Sequence, residues 1–129
     1  MKKVKRTERG WAGHFICADR CLFRRNTLLE LNDTRIVVST VGNMIPLKSS
    51  LNDLKIEKIG SDRYYETMAF HAHLCLDKYW DADVSKEIYF DSPWTVSEKG
   101  ADDKANEMHE DVVSEITKKL LKGEYDETT

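Results

Sequence analysis

The spacing of apolar residues changes once along the chain, and this change constrains the fold more than any other feature. Until about residue 92, apolar residues recur mostly at every second position, which is typical of half-buried β-strands. From residue 101 the spacing becomes that of one amphipathic helix, with an apolar stripe at Ala101, Ala105, Met108, Val112, Ile116 and Leu120. Strands followed by one long helix predict an α+β domain in which the helix packs on an antiparallel sheet.

Charged residues at both ends of the stripe support the predicted helix. Asp102 and Asp103 lie at its start, and Lys118, Lys119 and Lys122 lie near its end, where each charge complements the helix dipole. Gly123 follows as the expected stop. We predict a single domain over residues 1–129, with flexible ends at 1–10 and 124–129.

About six strands are predicted ahead of the helix, joined as an antiparallel meander. Their expected ranges are 11–18, 22–31, 34–41, 54–59, 63–75 and 79–90, with a long loop at 42–53. Asn32-Asp33 is a favourable two-residue hairpin turn, which sets Glu30 opposite Arg35 and Leu28 opposite Val37. A curved sheet that holds one C-terminal helix resembles the helix-grip architecture of small ligand carriers, and this likeness concerns architecture alone.

Hydropathy and charge exclude some classes of protein. No apolar run approaches the ~20 residues of a transmembrane helix, and no apolar stretch follows the basic start, as a secretory signal would require. We therefore expect a cytoplasmic protein without a membrane partner. The net charge of -3 divides into +5 over residues 1–35, -3 over 36–100 and -5 over 101–129. This asymmetry indicates either an anionic ligand near the N-terminal strands or pairing between the two ends of the chain.

Arginines and aromatic residues in the first predicted strands suit an anionic ligand. Guanidinium groups bind phosphate through two parallel hydrogen bonds, and aromatic rings stack on bases. The sequence pI of about 5.8 does not suit extended polynucleotide binding. We therefore predict a protein that binds a phosphate-bearing small molecule or nucleotide and is not an enzyme. Arg9 lies near the predicted site in sequence. The predicted ligand-binding residues are Arg20, Arg24, Arg25, Trp11, Phe23 and Tyr64.

The arginines of this predicted site do not all share one face. Arg24 and Arg25 are neighbours on one strand, so their side chains must point to opposite faces of the sheet.

The chain has three cysteines, Cys17, Cys21 and Cys75, which are expected to be reduced. A structural zinc site would need two closely spaced pairs of cysteines, and the sequence contains one such pair. We predict no cofactor.

The last predicted hairpin offers an alternative from another class, a metal-dependent hydrolase. Pairing of Leu74 with Trp80 and of Phe70 with Val84 brings two imidazoles and two carboxylates to one face: His71, His73, Asp81 and Asp83. Imidazole and carboxylate ligands together suit zinc, manganese or iron. The same alternation is also the ordinary pattern of a solvated sheet face.

No strong catalytic motif accompanies these groups, and no catalytic residue is assigned. His109 falls within the helical stripe and is interpreted as a hydrogen-bonded boundary residue rather than a catalyst. A third alternative is a protein-interaction module, which would use an exposed edge strand to form a homo-oligomer or to cap another protein.

Three stretches of the chain resemble a family of small uncharacterised proteins of bacteria and their phages. They are residues 9–21 (RGWAGHFICADRC), 65–71 (YETMAFH) and 101–110 (ADDKANEMHE). The resemblance implies an intracellular setting and is compatible with an accessory or inhibitor role for the interaction module. It transfers no functional residue to this chain.

Overall fold

The structure, a computed structural model, describes residues 3–9, 21–44, 63–89 and 94–125. In chain order these residues form β1 (Lys5–Glu8), β2 (Cys21–Leu31), β3 (Thr34–Met44), β4 (Tyr65–Leu74), β5 (Trp80–Ile88), β6 (Trp94–Val96) and α1 (Asp102–Leu121). Every strand pair is antiparallel, in the spatial order β1-β2-β3-β4-β5, and β6 pairs with β4 beyond the end of β5. The predicted class, an antiparallel sheet with one C-terminal helix packed on it, is confirmed.

Helix α1 forms where the apolar stripe predicts it. The stripe residues from Ala105 to Leu120 are buried, Asp102 and Asp103 occupy the first turn, and lysines occupy the last turn. Gly123 takes a positive φ of 76°, a left-handed conformation that glycine adopts without a steric penalty, and the chain leaves the helix there. Among the described residues, no helix is long and apolar enough to cross a membrane.

The β2–β3 hairpin has the predicted register. Asn32 takes a φ of 55°, which asparagine tolerates, and the turn sets Glu30 opposite Arg35 and Leu28 opposite Val37. The Nε of Arg35 donates to the Glu30 carboxylate at 3.0 Å across this pair. A tight turn and a cross-strand ion pair therefore fix the register locally.

The sequence pattern does not predict β1 or β6. Strand β1 lies within the N-terminal segment that we expected to be flexible, and its sequence, KRTE, has no apolar alternation. The expected strands at 11–18 and 54–59, and positions 45–53 of the expected loop, lie outside the described residues. Residues 42–44 extend β3 instead of starting that loop. Gly42 pairs with Tyr65, and a Cβ at Gly42 would lie 2.1 Å from the Tyr65 ring, so a glycine is required there.

Strand alternation gives the sheet two buried faces. The face toward α1, called here the helix face, has Leu29, Ile36, Val38 and Ala69 packed against helix residues such as Ile116. The opposite face, called here the far face, has its own buried apolar residues at Leu28, Val37, Val41 and Phe70. Every residue of the central strands therefore lies on one of two distinct surfaces, and the candidate sites divide between them.

Candidate functional site

Four charged side chains form an ion-pair cluster between β1, β2 and α1 on the helix face. A guanidinium nitrogen of Arg6 lies 2.5 Å from Glu8 and 2.5 Å from Glu110, and one of Arg25 lies 3.0 Å from each. The hydrogen bond from Arg6 lowers the pKa of Glu110 to about 2. Two cations and two carboxylates balance here, so the basic N-terminal region and the acidic helix pair within the molecule.

A buried hydrogen-bond network lies beneath this cluster, centred on His109. The imidazole is fully buried, with Nε2 2.7 Å from the Thr27 hydroxyl and Nδ1 2.7 Å from the Thr40 hydroxyl. Thr40 in turn lies 2.5 Å from the hydroxyl of Thr67, and Thr27 donates to Glu8 at 3.0 Å. The network therefore joins β1, β2, β3, β4 and α1 through side chains alone.

Glu8 fixes the direction of every hydrogen bond in this network. Burial alone would raise the pKa of Glu8, but hydrogen bonds from Arg6 and Thr27 and the charge of Arg25 outweigh burial and lower it. An ionised carboxylate only accepts, so the Thr27 hydroxyl donates to Glu8 and accepts from Nε2–H of His109. Nδ1 then accepts from Thr40, which accepts from Thr67. His109 is thus neutral and saturated, which fits a structural role and leaves no nitrogen for a substrate.

A groove of about 440 Å³ lies beside the charged cluster, between β1 and α1. Its apolar part is formed by residues such as Leu29 and Val113, and Lys118 lies on its helix side. The other charged groups that line it, Arg6 and Glu110, already bind each other. The groove therefore combines an apolar surface with two charged side chains that already bind each other.

A different polar cluster, centred on Arg9, lies on the far face. The Nε of Arg9 donates to the side-chain oxygen of Asn26 at 2.8 Å, and its Nη1 donates to the backbone carbonyl of Trp80. The guanidinium carbon lies 4.3 Å from the centre of the Tyr79 ring. Arg9 follows β1 and reaches both β2 and the start of β5, so the sheet must curl enough to bring these strands within the length of one side chain.

The buried polar atoms without a hydrogen-bond partner in the described part of the chain include two near this cluster. These two are Nη2 of Arg9 and the hydroxyl of Ser39, and the Ser39 side chain is fully buried. Ser39 lies directly opposite Asn26 in the β2–β3 register, and the Cβ atoms of such a pair are about 4.5–5.5 Å apart. Burial lowers the pKa of Arg9. Arg9, Asn26 and Ser39 therefore form a polar site with unused donors.

Removal of two neighbouring hydroxyls of β3 should affect the free energy of unfolding in opposite ways. Ser39→Ala should leave the free energy of unfolding unchanged or raise it by up to about 1 kcal/mol, because it removes a buried hydroxyl that has no partner. Thr40→Val keeps the side-chain shape but leaves His109 and Thr67 without a partner, so it should cost about 1–3 kcal/mol. Urea denaturation measures both. An equal loss in the two variants would show that the Ser39 hydroxyl is hydrogen-bonded.

The structure does not bring together those predicted anion-binding residues that it describes, Phe23, Arg24, Arg25 and Tyr64. Arg20 and Trp11 lie outside the described residues. Arg24 lies on the far face and Arg25 on the helix face, as the alternation predicts, and Arg25 is bound to two carboxylates. Phe23 packs edge-to-face on Tyr65 with ring centres 5.5 Å apart, and Tyr64 packs against the same apolar cluster. These two rings therefore contribute to the core.

The predicted hairpin register holds at one end and fails at the other. Leu74 pairs with Trp80 and His73 with Asp81, but the β4–β5 pairing shifts between Phe70 and Ala72. Phe70 therefore lies opposite Glu87, and the prediction of Val84 at that position is wrong. The residues 83–86 bulge from β5, because four residues there face one residue of β4.

The four groups that we considered for a metal site lie at this bulge or next to it. Asp83 accepts from the backbone and hydroxyl of Ser85, and these hydrogen bonds lower its pKa. The His71 ring packs at 5.9 Å against the ring of Tyr125, while Nε2 of His73 lies 3.5 Å from the Cys75 sulfur. Among residues 3–9, 21–44, 63–89 and 94–125, no group of three or more His, Cys, Asp or Glu side chains is placed to hold a metal ion.

Two polar residues in the sequence indicate the Arg9 cluster, although they follow the ordinary strand alternation and do not stand out in it. Asn26 and Ser39 are polar residues at far-face positions, flanked on the same face by Leu28, Val37 and Val41. Two polar positions at matching places in two adjacent strands would have indicated a buried polar site once the hairpin register was known. Arg9 gives no such signal, because its contacts depend on the curl of the sheet.

Comparison with known proteins adds no family to these observations. No protein-family model matches this sequence, and neither the search of curated proteins nor the search of solved structures returned a significant match.

Proposed function

We propose that this protein binds a small anionic molecule without catalysing a reaction, and that Arg9, Asn26 and Ser39 hold the anion on the far face. One observation supports this proposal above the others. The Nη2 of Arg9 and the hydroxyl of Ser39 are buried and have no partner within the described residues. Native proteins pair nearly all such groups, so unused donors at one place indicate a missing acceptor.

An anion is the acceptor that fits these donors best. The Arg9 side chain is half-buried, and burial lowers its pKa although the charges of Tyr79, Asp81 and Glu30 oppose the shift. A hydrogen bond from a guanidinium to an anion is roughly twice as strong as one between neutral groups. Arg24 lies on the same face, two positions along β2 from Asn26, and adds positive charge to this surface. The expectation of an anionic ligand from the N-terminal arginines is therefore kept, with its site moved to Arg9.

The two faces of the sheet differ in how completely their polar groups are used. On the helix face, His109 has hydroxyl partners on both nitrogens, and Arg6 and Arg25 each bind two carboxylates. An anion there would have to displace Glu8 or Glu110. At Arg9 an anion would add hydrogen bonds without breaking any, so the far face is the favoured location.

A metal-dependent hydrolase is the less favoured of the two candidate functions. It requires at least three metal ligands at one place, and the described residues contain no such group. No observation in the described residues favours it over ligand binding.

Thermal denaturation with a panel of small anions tests the proposed function. The panel contains inorganic phosphate, adenosine monophosphate, acetate and phenylacetate, each at saturating concentration. A ligand present at about 100 times its Kd stabilises the native state by about 2.7 kcal/mol, which corresponds to a rise in Tm of several degrees. We expect at least one anion to produce such a rise, and Arg9→Gln to abolish it.

The matched control is Arg35→Gln. Arg35 lies on the same face, pairs with Glu30 and stacks at 4.3 Å on the Trp80 ring, so it is an arginine whose partners are already present. This variant should keep the ligand-induced rise. A flat response to the whole panel, or a rise that Arg9→Gln does not change, would contradict the proposal.

A further inference from the structure

We infer that His73 and Cys75 form half of a zinc site, and that a second copy of this chain supplies the other half. His73 is exposed near the end of β4, and Cys75 follows β4 with a free, partly exposed thiol. Nε2 of His73 lies 3.5 Å from the Cys75 sulfur. Neither residue belongs to the Arg9 cluster, so zinc binding does not depend on the proposed anion binding.

The distance between the two donor atoms is the one that a tetrahedral zinc ion requires. Zinc holds a thiolate sulfur at about 2.3 Å and an imidazole nitrogen at about 2.0–2.1 Å, which sets the two ligand atoms about 3.5–3.6 Å apart at the tetrahedral angle. The Cys75 sulfur and Nε2 of His73 already have this separation. Without a metal, the same distance permits a weak hydrogen bond between the thiol and the ring. A zinc ion can therefore replace this hydrogen bond with little movement of either side chain.

The backbone holds both ligands in place. Residues 73 and 75 lie two positions apart along an extended chain, so their side chains leave the same face of the sheet. The backbone N–H of Cys75 donates to the carbonyl of Tyr79 at 2.8 Å, and the Cys75 carbonyl accepts from the N–H of Lys78 at 2.9 Å. These hydrogen bonds close the turn between β4 and β5. The thiol therefore extends from a fixed backbone, which reduces the entropy lost when a metal binds.

The pair supplies two of the four ligands that a structural zinc site needs. The described residues contain no group of three or more His, Cys, Asp or Glu side chains placed to hold a metal ion. Two copies related by a two-fold axis would each present His73 and Cys75, which together make a tetrahedral set of two cysteines and two histidines. Zinc accepts both thiolate and imidazole ligands, and two thiolates neutralise the charge of Zn²⁺. A zinc ion here departs from the sequence-based expectation of no cofactor.

The end of the β4–β5 hairpin is accessible to a second copy. Leu76 follows Cys75 directly and is 107% exposed, more than any other large apolar side chain of the described residues, and Leu74 precedes Cys75 and is 53% exposed. Contact between two such turns about a two-fold axis would remove the Leu76 side chain from water, which favours association. The same contact would bring the four donor atoms together. The exposed turn and the ligand pair therefore indicate the same partner.

Zinc titration of the full chain, followed by sedimentation velocity, tests the shared site. The buffer contains a non-thiol reductant, which prevents a disulfide between copies. We expect zinc to double the mass of the sedimenting species, with about half an equivalent of zinc bound per chain, and a chelator to reverse the change. Mg²⁺, which prefers oxygen ligands, should have no effect. Zinc bound at one equivalent per chain without a change in mass, or no bound zinc, would overturn the inference.

Two variants locate the ligands. Cys75→Ser and His73→Gln change side chains at the surface, so both should keep the fold, and each should abolish the zinc-dependent doubling of mass. His71→Gln is the matched control, because His71 lies on the same strand and face but its ring packs against Tyr125. This variant should bind zinc as wild type does. Loss of binding in His71→Gln, or doubling retained in either ligand variant, would show that zinc is held by other residues.

Cobalt identifies the donor atoms directly. Co²⁺ occupies the same tetrahedral sites as Zn²⁺ and, unlike zinc, absorbs visible light in a way that depends on its geometry and ligands. We expect the wild-type chain to give the spectrum of tetrahedral Co²⁺ with a thiolate-to-metal band, and Cys75→Ser to lose that band. A cobalt spectrum without a thiolate band in the wild-type chain would contradict the assignment of Cys75 as a ligand.

Discussion

Ile116→Asp is expected to cost roughly 4 kcal/mol or more of the free energy of unfolding and to leave much of the chain unfolded at room temperature. Ile116 is fully buried between α1 and the sheet, within the cluster that includes Leu29, Val38 and Ala69. A carboxylate at this position would lose the burial of an apolar side chain and would have no cation in reach, and both effects are large. Circular dichroism during urea denaturation measures the loss.

Ser114→Asp is the control for this prediction. It introduces the same carboxylate into the same helix at an exposed position, so it should change stability by no more than about 0.5 kcal/mol. If Ile116→Asp unfolds at the same urea concentration as Ser114→Asp, then α1 does not pack on the sheet through Ile116.

Acidification from about pH 6.5 to pH 4 is expected to remove about 3 kcal/mol of stability through His109 alone. Burial, and next the charge of Arg25, lower its pKa from the ordinary value of 6.5 to about 4, although Glu8 and Glu110 oppose the shift. The unfolded chain therefore takes up a proton in this range while the native chain does not, and each pH unit of that difference is worth about 1.36 kcal/mol. The contribution is fully present above pH 6.5 and lost as the pH falls.

His109→Gln separates this effect from the other titrating groups. Glutamine keeps one donor and one acceptor but does not titrate, so the variant should be less stable at pH 7 and should lose the slope between pH 6.5 and pH 4. Both proteins should then lose further stability toward pH 2, because Glu8 and Glu110 have lowered pKa values and lose their ion pairs when they become protonated. Equal slopes above pH 4.5 in both proteins would contradict the assignment.

The parts of the fold that follow from local chemistry could be predicted from the sequence. The helical stripe, the charges at its ends and Gly123 set α1, because periodicity and capping depend on neighbouring residues. The register of the β2–β3 hairpin follows from the two-residue turn in the same way. Arg24 and Arg25 lie on opposite faces for the same reason, since the backbone pleat alone decides it.

The wrong prediction for β5 shows that local sequence patterns do not determine the whole β4–β5 register. Matching apolar faces set Leu74 opposite Trp80 correctly, but they also set Phe70 opposite Val84, and the bulge at residues 83–86 moves Glu87 there instead. Periodicity predicts which face a residue occupies in a regular strand and contains no information about an inserted bulge. The predicted metal site depended on an unbroken register, and the described residues contain no group of three or more side chains placed to hold a metal ion.

Strand alternation and helical periodicity, both written in the sequence, determined that this chain forms an antiparallel sheet under one helix. The tertiary structure alone decided which polar groups have partners. Arg6 and Arg25 meet Glu110 because the sheet places β1 and β2 beneath α1, and these contacts saturate the helix face. Arg9 reaches Trp80 because the sheet curls, and Nη2 of the same guanidinium is buried without a hydrogen-bond partner among the described residues. Such pairings join residues far apart in the chain, so no local pattern contains them.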